Sequence, residues 1–125
     1  MTSPTSPFAS HGALSRGVFA VACLVSLAVL FAPPSDVPPS PFGVDKLVHG
    51  LLFAALACTG RWAGARPRVL VVVLLAYAGG SELLQGTDLV DRDASWADLL
   101  ADAVGVGVGL AAWRTLARSG QRVRR

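Results

Sequence analysis

The stretch "RVLVVVLLAYAGGSELLQG", Arg68 to Gly86, carries the decision about the fold. From Val69 to Tyr77 it is apolar without interruption, and then Glu82 and Gln85 enter before its last turn. Counted on to Gln85, the run is at the short end of what a membrane-spanning helix needs, and it reads as one. In hydrocarbon a carboxylate is costly unless it faces protein or a water-filled cavity. Glu82 and Gln85 are therefore expected to face into a bundle, at the floor of a polar pocket.

The remainder of the chain fits that reading. Hydrophobic residues make up 53% of the 125 residues and charged residues only 15%, against about 25% charged in soluble domains. The polar residues also come in blocks, with apolar runs between them. The net charge of +3 does not point to nucleic acid, because the basic residues lie outside the apolar runs and form no stripe interleaved with aromatics. Cys23 and Cys58 sit within apolar runs with no metal-type spacing, and read as small buried hydrophobes.

Four spans emerge: Gly17 to Ala32, Val44 to Trp62 with Asp45 as a candidate N-cap, Val69 to Gln85, and Ser95 to Trp113 with Ser95 as cap. The first could be taken for a cleaved signal peptide. Leu30 and Pro33 are wrong for a cut after Ala32, which favours a retained anchor. The expected fold is all-α: a polytopic four-transmembrane-helix bundle over residues 17–113. A flexible N-terminal tail (1–16) and a basic C-terminal tail (114–125) flank it.

Loop charge sets the orientation. The N-terminal tail carries Arg16, the second connection Arg61, Arg66 and Arg68, and the C-terminal tail Arg114, Arg118, Arg122, Arg124 and Arg125. The first and third connections are acidic, with Asp36 and Asp45 in one and Asp88, Asp91 and Asp93 in the other; each holds a single basic residue, Lys46 or Arg92. By the positive-inside rule both termini are cytoplasmic and the acidic connections face outward.

That orientation gathers the polar residues at one depth. Asp45, Lys46 and His49 open the second span, Glu82 and Gln85 close the third, and Arg92, Asp98 and Asp102 surround the start of the fourth. Asp102 lies roughly 10 Å below Ser95 at 1.5 Å per residue, at or inside the hydrocarbon boundary. Asp98 and Asp102 share a helical face that continues inward as Gly105 and Gly109, beside Ala101. Such a small-residue ridge lets membrane helices approach closely.

The segments "DKLVHGLLFAAL", "SELLQ" and "DRDASWADLLADAVGVGVG" together resemble the VanZ-like family of small bacterial membrane proteins, over about residues 41–113. The resemblance implies signature positions at Asp45, Lys46, His49, Glu82, Gln85, Arg92, Asp98 and Gly105. It also implies a setting in the bacterial envelope, in the cytoplasmic membrane. The family's namesake is associated with resistance to the glycopeptide teicoplanin, which implies a glycopeptide-type or lipid-linked ligand and a role in antibiotic resistance.

Three functions compete. The first is a non-enzymatic protein whose outward pocket of Asp45, Lys46, His49, Glu82, Gln85, Arg92, Asp98 and Asp102 binds an amphiphilic envelope molecule. The second is an intramembrane hydrolase or transferase with catalytic candidates His49, Glu82 and Asp98. There His49 is the general base, oriented by Asp45 or Asp98, and Arg92 stabilises developing charge. Ser81 and Ser95 are its only candidate nucleophiles. The third is a divalent-metal site on His49, Glu82, Asp98 and Asp102, but no HxxxH or HExxH spacing supports it, so neither metal nor cofactor is expected. Transport is disfavoured by the lack of polar residues in the cytoplasmic halves of the spans. Alkaline-phosphatase fusions after Gly43 and Asp91 should be active, and fusions after Gly64 and Arg125 inactive; activity after Gly64 would reverse the orientation.

Overall fold

The computed structural model describes residues 11–33, 35, 43–87 and 95–123, which form four α-helices and no strand. They are α1 (Ala13–Leu30), α2 (Val44–Trp62), α3 (Pro67–Gln85) and α4 (Trp96–Val123). The helix ends follow local chemistry. Pro33 disfavours helical backbone at the residue before it, and α1 stops at Leu30 with Phe31 as C-cap, two residues before the expected end. Asp45 does not cap α2: Gly43 does, at φ 89°, and Asp45 lies in the first turn, where a carboxylate still favours the helix dipole. Pro67 starts α3 at the position where its missing N–H costs nothing.

Gly64 ends α2. At φ +99° it lets Ala65 N–H reach Gly60 O at 3.0 Å and Gly64 N–H reach Arg61 O at 3.1 Å, closing the tight connection to α3. Three helices extend beyond the expected spans, α3 by the two residues Pro67 and Arg68 at its start. α1 begins at Ala13, and α4 continues beyond Trp113 to Val123 because nothing between them breaks a helix. Arg114, Arg118 and Arg122 are also good helix formers, and Arg122 sits favourably in the last turn.

The helices alternate in direction. His11 N–H bonds Trp62 O, joining the start of α1 to the end of α2. Gln85 Nε2 donates to Leu30 O at 2.7 Å, joining the ends of α3 and α1. Ser95 N–H donates to Glu82 Oε2 at 2.8 Å, joining the start of α4 to the end of α3.

Burial is inverted relative to a water-soluble bundle. Among the described residues eight polar or charged side chains are buried, as many as the eight apolar ones, while Leu24, Leu51, Val72 and Leu100 are each more than 60% exposed. In water this would leave an aggregating apolar surface around a polar interior; in lipid it is the low-energy arrangement. α1, α3 and α4 are long and apolar enough to cross a membrane. α2, with Asp45, Lys46 and Arg61 in its end turns, falls short of that mark.

α2 nonetheless holds the central place, packing on all three other helices and most extensively on α4. A Cβ added at Gly105 would collide with the Gly50 carbonyl oxygen, and one at Gly109 with that of Ala54. The backbones of α2 and α4 are thus in direct contact, as small residues at i, i+4 allow. On the other side of α2, Phe53 stacks at a tilt on Tyr77 with centroids 5.7 Å apart, and Tyr77 OH meets Ser26 Oγ at 3.1 Å. Gly105→Leu and Gly109→Leu should each destabilise the bundle by about 1–3 kcal/mol or more, measured as earlier thermal unfolding in detergent. Gly107→Leu, where an added Cβ meets nothing within 4 Å, should be tolerated.

Candidate functional site

Three helices deliver polar side chains to one end of the bundle. His49 lies in the second turn of α2, one residue before the Gly50 that touches α4. Asp102 lies three residues before Gly105 on the facing helix, so the backbone contact brings the two side chains together. His49 Nδ1 is 2.9 Å from Asp102 Oδ1, with both side chains at least 96% buried.

Glu82 arrives from the end of α3. Its Oε2 accepts the Ser95 N–H and so secures the start of α4, which also uses Ser95 Oγ as a long, weak acceptor for Asp98 N–H at 3.4 Å. His49, Glu82 and Asp102 each offer a ligand atom, and these atoms all lie within 4.8 Å of one another. One turn nearer the start of α4, Asp98 Oδ1 pairs with Lys46 Nζ at 3.4 Å, and Lys46 Nζ also meets Asp45 Oδ2 at 3.5 Å. Glu82 Oε1 and Asp102 Oδ2 are buried with no hydrogen-bond partner among the described residues. An orphaned carboxylate oxygen carries a large desolvation cost.

The sequence-derived residues divide accordingly. His49, Glu82, Asp98 and Asp102 converge from α2, α3 and α4. Gln85 is equally buried but bonds Leu30 O, where it satisfies a carbonyl at the end of α1. Asp45 is half-exposed at the rim beside Lys46. Arg92 lies outside the described residues. The partner expected to orient His49 was Asp45 or Asp98; the structure pairs His49 with Asp102 instead. Asp98 is the residue one turn away along α4, and it is taken up by Lys46.

Neither candidate nucleophile reaches the histidine. Ser81 Oγ donates back to Ala78 O at 2.9 Å, and Ser95 Oγ faces Asp98 N–H. No spacing in the sequence signals the ties Ser26–Tyr77, Gln85–Leu30 and Ser95–Glu82. The small positions of α2, Gly50, Ala54 and Ala57, did carry a signal: they repeat at helical spacing and complement Gly105 and Gly109.

Beside this cluster lies an open groove of about 450 Å³ between α3 and α4, lined by Gly79, Glu82, Leu83, Ser95, Trp96 and Leu99. Its walls are apolar, and Glu82 and Ser95 bring it to the edge of the polar cluster. In comparisons with known proteins, no family model, curated protein or solved structure matches this chain.

Removing either partner of the His49–Asp102 pair strands the other in a buried site. A double-mutant cycle of His49→Ala and Asp102→Ala, read by unfolding in detergent, should give a coupling of about 1.5–3 kcal/mol. A coupling near zero would mean that the pair is not formed.

Proposed function

We propose that this chain is a VanZ-like protein of the bacterial cytoplasmic membrane that binds an amphiphilic envelope molecule, lipid-linked or glycopeptide-type, in an outward-facing site. In this reading α2 is the fourth span and both termini are cytoplasmic. The quoted Asp-Lys-x-x-His, Glu-x-x-Gln and Asp-rich helix segments support the family reading, and the loop charges support the orientation.

One observation carries the binding function: the α3–α4 groove, apolar along Gly79, Leu83, Trp96 and Leu99 and polar where it meets Glu82 and Ser95. A hydrocarbon tail suits the first part and a polar head group the second. About 450 Å³ is within the range of ligand pockets. Because the groove lies on the bundle surface, a molecule could enter it sideways from lipid without crossing the helices.

A hydrolase or transferase acting on a lipid-linked substrate is the second reading, favoured by the His49–Asp102 pair. A carboxylate bonded to Nδ1 leaves Nε2 of the neutral imidazole as a base. With no serine against His49, such an enzyme would activate water or a substrate hydroxyl rather than form a covalent intermediate.

Gly79 provides the test, since a Cβ there meets nothing within 4 Å. Gly79→Leu should leave thermal unfolding unchanged while lowering the amphiphile that copurifies in mild detergent by about 10-fold, roughly 1.4 kcal/mol of binding. Copurification unchanged by the substitution would reject the groove as the site. Turnover of a lipid-linked precursor in proteoliposomes that is lost in His49→Ala would decide for the second reading.

A further inference from the structure

The cluster of His49, Glu82 and Asp102 carries an unresolved charge. Two carboxylates and one imidazole come from three different helices, and Glu82 and Asp102 are 6% and 0% exposed. Lys46 is engaged at the rim by Asp98 and Asp45. Among the described residues the histidine is therefore the only cationic group facing the two inner carboxylates. A protonated imidazole would balance one of them and leave the other to be neutralised by a proton or by a bound cation, since a bare carboxylate in a low-dielectric interior is expensive. Neutral histidine, two carboxylates and one divalent cation, in contrast, sum to zero.

The geometry points the same way. Two ligands on a tetrahedral ion with bonds of about 2.1 Å sit about 3.4 Å apart; His49 Nδ1 and Asp102 Oδ1, hydrogen-bonded at 2.9 Å, need separate by only about half an ångström for an ion to replace the shared proton. Glu82 brings its ligand atom within 4.8 Å of the others. The two buried oxygens that lack any hydrogen-bond partner among the described residues, besides the Lys46-facing Asp98 Oδ1, belong to these same carboxylates: Glu82 Oε1 and Asp102 Oδ2. Glu82 Oε2 is held by the Ser95 N–H, which leaves Oε1 to serve as ligand without loosening the start of α4.

We propose that His49, Glu82 and Asp102 form a divalent-cation site at the junction of α2, α3 and α4. One imidazole with two carboxylates is a mixed donor set that suits Mn²⁺ or Zn²⁺ better than an all-oxygen ion such as Ca²⁺. Three protein ligands also leave at least one coordination position open, as in metal sites that take a further ligand. The inference does not depend on what occupies the groove. It differs from the expectation drawn from linear spacing because no two of the three ligands share a helix, so no motif of the HxxxH type could announce them.

The test uses the full chain in mild detergent, stripped with chelator and dialysed against Mn²⁺ or Zn²⁺ alone. One ion per chain should remain bound, and thermal unfolding should shift upward by several degrees, with little effect from Mg²⁺ or Ca²⁺. His49→Ala and Glu82→Gln should each weaken binding about 10-fold or more. Glu82→Gln keeps an oxygen for the Ser95 N–H and so separates loss of a ligand from loss of the fold. In the Mn²⁺ form, pulsed paramagnetic resonance should detect one coordinated imidazole nitrogen, absent in His49→Ala. No ion above the detergent blank, or binding that both variants leave unchanged, overturns the proposal. So does binding that appears only in Arg92→Ala, because the guanidinium would then be the native counter-charge.

Discussion

The contact between the backbones of α2 and α4 governs the rest of the structure. Lipid offers no hydrophobic reward for helix association, so the close approach must come from packing, and only small residues permit it. Gly105 against Gly50, and Gly109 against Ala54 and Ala57, supply it. This contact also sets the register. With Gly50 opposite Gly105, His49 and Asp102 meet; a shift of one turn would set Asp102 against Asp45 in one direction and Phe53 in the other. The polar pair is thus a consequence of glycine placement as much as of its own attraction.

Once α2 and α4 are locked, α3 completes the arrangement with a single carboxylate in two roles. Glu82 Oε2 holds the Ser95 N–H at the head of α4, and the same carboxylate brings an oxygen within 4.8 Å of the histidine and aspartate ligand atoms. Gln85, one turn on, ties the same end of α3 to the last carbonyls of α1. One end of the bundle is therefore stitched by side chains that lipid would penalise individually, while the middle is held by Phe53, Leu56, Leu74, Ala78 and Val106. Polar groups specify which helix faces meet, and apolar packing fills the space between them.

The placement of charge is also economical in the physical sense. Lys46 serves Asp98 and Asp45 at the half-exposed rim, where water still assists, and the fully buried Asp102 is given the histidine. The apolar groove of α3 and α4 abuts the inner cluster rather than the rim, so a molecule lying in it would meet Glu82 first.

Much of this was legible in the linear sequence. The all-helical fold, the helices beginning at Val44 and ending at Gln85, and the inward direction of Glu82, Gln85, Asp98 and Asp102 follow from the apolar runs and from the high cost of leaving polar groups in hydrocarbon, a cost each residue incurs wherever its neighbours are. The Gly105 and Gly109 ridge was readable for the same reason, since helical spacing places them on one face. Which partners those residues would find was not readable. That Asp102 rather than Asp45 or Asp98 takes His49, that Lys46 turns to Asp98, and that Gln85 leaves the cluster for Leu30 all depend on the rotation and relative height of helices far apart in the chain. Spacing along one helix constrains only residues of that helix. Rotation and height are fixed when backbones touch, and that contact exists only in the folded bundle.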